Sequence, residues 1–224
     1  MIVGWIFSGP DPMLNGWVGY AYDPVSASWS PLPEEGGPSF DSINEGDDFN
    51  LFWTGSKLIV GAIQPDPELS GAPSDKVWQG YGYDPEGDSW TKFPAMVART
   101  SSGEGGKVDL VGNKLVVWNI SDDPYPDPGD MDMIINGEVY DTELNVLSPI
   151  PNNGSPNISR TSIGRMIVQS TGSELFFWGR LDDVDGLDVG AIFNPNAPSA
   201  YAWRKINDFI DGEQIYYIYG KVPE

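Results

Sequence analysis

The side chains in this sequence that are equipped for chemistry are almost all carboxylates. There are 33 Asp and Glu against 12 Lys and Arg, with no histidine and no cysteine. Thiolate nucleophiles, disulfides, histidine bases and zinc sites of the Cys/His kind are therefore excluded. What remains is oxygen chemistry: hard-cation binding, contact with basic or hydroxyl-rich partners, or acid–base work by carboxyl groups. The carboxylates recur in a pattern. Pro10-Asp11-Pro12, Pro65-Asp66-Pro67 and Pro126-Asp127-Pro128 repeat one tripeptide, Asp122 and Asp123 precede the last of them, and a further cluster holds Asp182, Asp183, Asp185 and Asp188. Calcium takes about six to eight oxygen ligands, which makes Asp182, Asp183, Asp185 and Asp188 the candidate Ca²⁺ ligands; no other cofactor is implied. The cluster does not follow the EF-hand pattern, whose first ligand position falls on Leu181. A competing reading makes each Pro-Asp-Pro a rigid turn whose carboxylate bonds locally. Acid–base candidates are less ordered. Glu45 or Glu104 would be the base, and Arg99, Arg160 or Arg165 would orient an anionic sugar, but no spacing ties these residues together.

The formal net charge of −21 narrows the partners. Nucleic acid and anionic membrane surfaces both demand clustered Lys and Arg, so neither is expected. No apolar run approaches the length of a membrane span, and membrane insertion is not expected either. Such a charge suits a hydrated surface in a salty, extracellular or periplasmic setting, or a site for a cation or a basic partner. Asn119-Ile-Ser121, Asn153-Gly-Ser155 and Asn157-Ile-Ser159 fit the N-glycosylation pattern.

The elements that must position these carboxylates are repeated. Tyr22-Asp-Pro-Val-Ser-Ala-Ser-Trp29-Ser-Pro-Leu32-Pro33 returns as Tyr83-Asp-Pro-Glu-Gly-Asp-Ser-Trp90-Thr-Lys-Phe93-Pro94. A third copy, Tyr140 to Pro151, has Leu147 in the tryptophan slot; a fourth begins Phe193-Asn-Pro195 and recovers at Trp203 after a three-residue insertion. Ahead of each copy lies an apolar strand: Lys57-Leu-Ile-Val-Gly61, Lys114-Leu-Val-Val-Trp118 and Glu174-Leu-Phe-Phe-Trp178, with Ile2-Val-Gly-Trp5 in the same slot. A further strand precedes those, at Phe49 to Trp53, Lys107 to Val111 and Arg165 to Gln169. Each unit is thus four short strands, with Asp-Pro initiating the turn into the last. The 27 glycines and 20 prolines leave little room for long helices. Most tryptophans occupy fixed repeat positions, which marks them as core; Trp53 is the one left unplaced.

A four-stranded sheet cannot bury both faces alone, so the units must stack, and radial stacking gives an all-β propeller. The Tyr-Asp-Pro, the tryptophan seven residues on and the hydrophobic-Pro close resemble the kelch repeat. The Gly-Gly doublet of that family is absent, its place taken by Gly61-Ala62, Trp118-Asn119 and Trp178-Gly179. The resemblance implies a kelch-like β-propeller of four blades, each of four antiparallel strands, forming a single domain over 1–224. The blades are 1–33 plus 213–220, 34–94, 95–151 and 152–207, with the C-terminal strand Glu213–Gly220 completing the first. Its Gly212-Glu-Gln-Ile215 also matches the second-strand signature, which would make it the edge of a fifth blade or a strand shared between chains. The copper chemistry of some kelch-type oxidases needs histidines and a cysteine that are lacking here.

The function expected is a non-catalytic binding or interaction module for a protein or carbohydrate ligand. Its face would be the acidic loops with Asp11, Asp66, Asp123, Asp127, Asp183 and Asp185. Alternatives are a mutarotase-like sugar enzyme with its site at the channel mouth, or a structural subunit of a surface assembly. A monomer is the expected state.

Overall fold

Four antiparallel sheets follow one another along the chain. The computed structural model describes residues 2–7, 17–39, 49–65, 76–98, 106–122, 132–159, 167–179 and 189–206. The first sheet has the order β1 (Ile2–Phe7), β2 (Trp17–Asp23), β3 (Ser28–Pro31). The second runs β4 (Phe49–Trp53), β5 (Leu58–Pro65), β6 (Lys76–Asp84), β7 (Ser89–Lys92), with β8 (Met96–Val97) also paired to β6. The third comprises β9 (Lys107–Val111), β10 (Lys114–Asp122), β11 (Asp132–Asp141) and β12 (Val146–Pro149), with β13 (Asn157–Ser159) also on β11. The fourth is β14 (Ile167–Ser170), β15 (Leu175–Gly179), β16 (Val189–Phe193) and β17 (Trp203–Ile206). The four-strand unit read from the sequence holds in the second, third and fourth sheets, with β8 and β13 as additions; the first two residues of the expected 165–169 strand lie outside the described residues. The expected C-terminal strand at 213–220 lies outside the described residues.

The Asp-Pro hairpins form for the reason their composition suggests. Asp84 Oδ1 accepts the N–H groups of Glu86 (2.9 Å) and Gly87 (3.3 Å), and Asp141 Oδ1 accepts those of Glu143 (3.0 Å) and Leu144 (2.9 Å). Asp23 holds Val25 N–H at 2.9 Å and Ser26 Oγ at 2.7 Å. Each carboxylate pins its turn, while proline fixes φ after Asp23 and Asp84 and Thr142 takes that place after Asp141. The last turn residue is left-handed in all three: Ala27 at φ 52°, Asp88 at 46° and Asn145 at 55°. These turns set the register Tyr22↔Trp29, Tyr83↔Trp90 and Tyr140↔Leu147, and the longer fourth connection reaches the equivalent Phe193↔Trp203. The three aromatic pairs have ring centroids 5.0, 5.0 and 4.9 Å apart.

Consecutive sheets pack face to face through separate apolar clusters. Leu32 joins Leu58, Val60, Tyr81 and Tyr83 between the first and second sheets. Ile59, Trp78, Phe93 and Met96 meet Val108, Leu115, Val117 and Tyr140 between the second and third. Val116, Trp118 and Ile135 meet Leu175, Phe177, Phe193 and Trp203 between the third and fourth. Along β10 successive residues alternate between the last two clusters, which is the two-residue period of a strand buried on both faces.

Two devices repeat at these interfaces. The first is a hydrogen bond between units. Trp90 Nε1 donates to Pro33 O at 2.9 Å, and Trp203 Nε1 donates to Pro151 O at 2.7 Å. The carbonyl of one unit's hydrophobic-Pro close thus receives the indole of the next unit's last strand. Each indole side chain also lies over a glycine turn, Gly36 or Gly154, three residues after that proline. The second device is a glycine on the third strand of every sheet: Trp5↔Gly19, Gly61↔Gly80, Trp118↔Gly137 and Trp178↔Gly190 are in register. In the second sheet the Trp78 indole fills the room above both Gly61 and Gly80, where a Cβ on either would fall inside the ring.

Candidate functional site

The connections from second to third strand leave the same end of each sheet, because the strand order and pairing repeat. The sequence puts its acidic residues in these connections. Described strands bracket them: Phe7 and Trp17, Pro65 and Lys76, Asp122 and Asp132, Gly179 and Val189. The expected ligand-binding residues Asp11, Asp66, Asp123, Asp127, Asp183 and Asp185 all lie outside the described residues, as do the calcium candidates Asp182 and Asp188. The acid–base candidates Glu45, Glu104, Arg99, Arg160 and Arg165 lie outside them as well. Among the described residues, no three His, Cys, Asp or Glu side chains are grouped to hold a metal ion.

What the structure adds is the floor beneath those connections. Asn119, on β10 four residues before Asp123, is only 4 % exposed, and its Oδ1 has no hydrogen-bond partner. Gln64, on β5 two residues before Asp66, has a buried Oε1 in the same condition. Both are acceptors at the connection end of their strands. An unpaired buried amide oxygen costs about 1–3 kcal/mol, which the apolar packing around each must offset. Gln79, by contrast, is satisfied: its Nε2 donates to Gly80 O at 3.2 Å and to Phe93 O at 2.9 Å.

Three further polar side chains inside the stack escaped sequence reasoning. Asp109 Oδ2 accepts Trp118 Nε1 at 2.8 Å, and Asn50 Oδ1 accepts Trp78 Nε1 at 3.1 Å. Burial pushes the Asp109 carboxyl up from the ordinary range, with the indole N–H and Lys107 pulling weakly against it. Glu138 Oε2 accepts Val97 N–H at 2.7 Å, bridging the second and third sheets. The available signal was a lone short polar residue within an apolar strand: Asp109 in Lys-Val-Asp-Leu-Val and Asn50 in Phe-Asn-Leu-Phe-Trp. Both serve buried indoles.

Of the three N-glycosylation patterns, the one at Asn119 is closed by burial, whereas Asn153 stands exposed in a turn. A cavity of about 340 Å³ lies between the outer strands of the third and fourth sheets, lined by Val139, Pro149, Pro151, Phe193 and Pro195. It owes part of its wall to the fourth-unit insertion, through Ala197 and Ser199. The lining has no charged side chain, and its polar side chains are Ser148, Asn194 and Ser199. No helix among the described residues is long and apolar enough to cross a membrane. No protein-family model matches the chain, and no curated protein matches it either.

Proposed function

We propose that the chain is a kelch-like propeller of four blades that works as a non-catalytic binding module. Its ligand is a protein or carbohydrate engaged by the acidic connections carrying Asp11, Asp66, Asp123, Asp127, Asp183 and Asp185. The observation that supports this reading is that the connections carrying these carboxylates leave the same end of each sheet. Carboxylates accept hydrogen bonds or coordinate cations, so the acidic connections call for a ligand rich in ammonium, guanidinium or hydroxyl groups. Calcium held by Asp182, Asp183, Asp185 and Asp188 would act at the same end, as a bridge or as a stabiliser of the connection.

The test is an array of glycans and basic peptides, probed with the protein and with a triple variant, Asp66→Asn, Asp127→Asn, Asp183→Asn. Binding by the parent and its loss in the variant, with cooperative melting retained, is the expected result. Signal that persists undiminished in the variant removes the acidic connections from the binding face. Turnover in a screen of sialic acids and related sugars, abolished by Arg160→Ala, replaces the binding module with an enzyme.

A further inference from the structure

The second, third and fourth sheets each carry a first strand, β4, β9 or β14, whereas among the described residues the first sheet begins at β1 with that edge unpaired. The neighbouring surface records the difference. On β9, Val108 and Leu110 pack into the cluster between the second and third sheets, and on β14 Val168 packs against the third. Their register equivalents on β4 are Leu51 and Trp53, opposite Val60 and Leu58 as Val108 and Leu110 are opposite Val117 and Leu115. Leu51 is 40 % exposed and Trp53 49 % exposed. Two large apolar side chains are thus open where the equivalent pair is covered, beside the sheet that has one strand fewer.

We infer that residues Glu213–Tyr219 of the same chain fill this place, pairing with the free edge of β1 and covering Leu51 and Trp53. The inference rests on the four-blade reading and adds to it the surface on which the tail docks. The segment Glu-Gln-Ile-Tyr-Tyr-Ile-Tyr has strand-forming residues, and either alternate set of its side chains includes a tyrosine and an isoleucine to cover an apolar surface. It can reach. Six residues, 207–212, separate β17 from Glu213; extended, they span about 20 Å, against about 14 Å for three strand spacings. Alternating strand direction also puts the end of a fourth strand at the same end of the sheet as the start of a first strand. The surface distinguishes the two readings of the tail's sequence: a second strand of a fifth unit would leave Leu51 and Trp53 open.

Because the chain has no cysteine, nitroxide labels can be placed cleanly at Ser56→Cys, beside the β4–β5 turn, and Lys221→Cys, just past the tail strand. Pulsed dipolar spectroscopy on the 24.5 kDa monomer fraction should give one short separation, on the order of the ~10 Å between packed sheets plus the label arms. A long or broad separation in the monomer overturns the inference. A short separation confined to a species of twice that mass also overturns it, since the strand then comes from a second copy. A second pair of labelled proteins keeps failure of the ring separate. Ser30, Thr91 and Arg204 each follow the fourth-strand tryptophan of their unit, so four closed blades make the Ser30–Arg204 separation match Ser30–Thr91. If those match while 56 and 221 are far apart, only the tail's docking fails; if Ser30–Arg204 is much longer, the ring itself fails.

Discussion

At the scale of single residues, the hairpin tyrosines report how each turn is built. Tyr83 Oη donates to Asp88 Oδ1 at 2.7 Å and Tyr140 Oη to Asn145 Oδ1 at 2.9 Å, each acceptor being the left-handed residue of its turn. Burial, then the bond to Asp88 and the charges of Asp88 and Asp84, pushes the Tyr83 phenol up to about 12 from an ordinary 10.0. The neutral phenol is the favoured form in the folded chain. Its contribution to stability is therefore complete below pH 10 and lost as pH rises from 10 towards 12. Asp88→Asn keeps an acceptor and the left-handed backbone but removes a negative charge, so ultraviolet titration should show Tyr83 ionising at lower pH than in the parent. In the first unit the corresponding residue is Ala27, at φ 52° and without an acceptor for Tyr22. A left-handed non-glycine residue costs about 1–2 kcal/mol, so Ala27→Asn should raise the melting temperature, with Ala27→Gly recovering the backbone part alone. Asp109 behaves differently. Burial disfavours its charge, so Asp109→Asn, which still accepts Trp118 Nε1, should be at least as stable as the parent at neutral pH and gain most above the raised carboxyl range.

At the scale of elements, the glycines opposite the tryptophan slots are packing devices. Gly80→Ala pushes a methyl into the buried Trp78 indole, and overpacking of this kind costs about 1–3 kcal/mol. Gly137→Ala should cost more, since at φ 145° its Cβ would meet the Val117 carbonyl, which is backbone and cannot rotate away. Urea melts of the two variants should fall in that order. The hairpins and the four-strand unit were legible in the sequence because Asp-Pro turns and apolar runs are local signals. The glycine column was present too, three residues before Tyr22, Tyr83, Tyr140 and Phe193, but its meaning needs the cross-strand register. Strands β8 and β13 were not legible, because two or three residues carry no period. The Trp90–Pro33 bond joins residues 57 apart, and nothing local announces it. The proposed acidic connections were legible only as composition along the chain, whereas the unpaired oxygens of Gln64 and Asn119 show only once burial is known.

At the scale of the whole molecule, a net charge of −21 on 224 residues makes self-repulsion a constant cost to the compact state. Added sodium chloride should raise the melting temperature by screening, which shortens the reach of charge to about 10 Å at 0.1 M. Calcium offers a sharper comparison. In protein first stripped with chelator, millimolar Ca²⁺ should raise the melting temperature beyond what sodium does at equal ionic strength, because a ligand of the folded state alone stabilises it. Equal shifts from the two salts would remove Asp182, Asp183, Asp185 and Asp188 from consideration as ligands. The bond from each unit's tryptophan to the previous unit's proline also bears on how such a chain is divided. Trp90 lies over Gly36 and Trp203 over Gly154, whereas Leu147 follows a unit whose Pro94 is succeeded three residues on by Val97. Partner residues are therefore matched across unit boundaries. Deleting the second unit would seat Leu147 on the turn at Gly36 and leave a gap the size of an indole. The exchangeable cassette in this architecture is thus a sheet together with the proline turn that precedes it, so recombination that keeps partners matched must cut between the last strand of one unit and the proline turn that follows it.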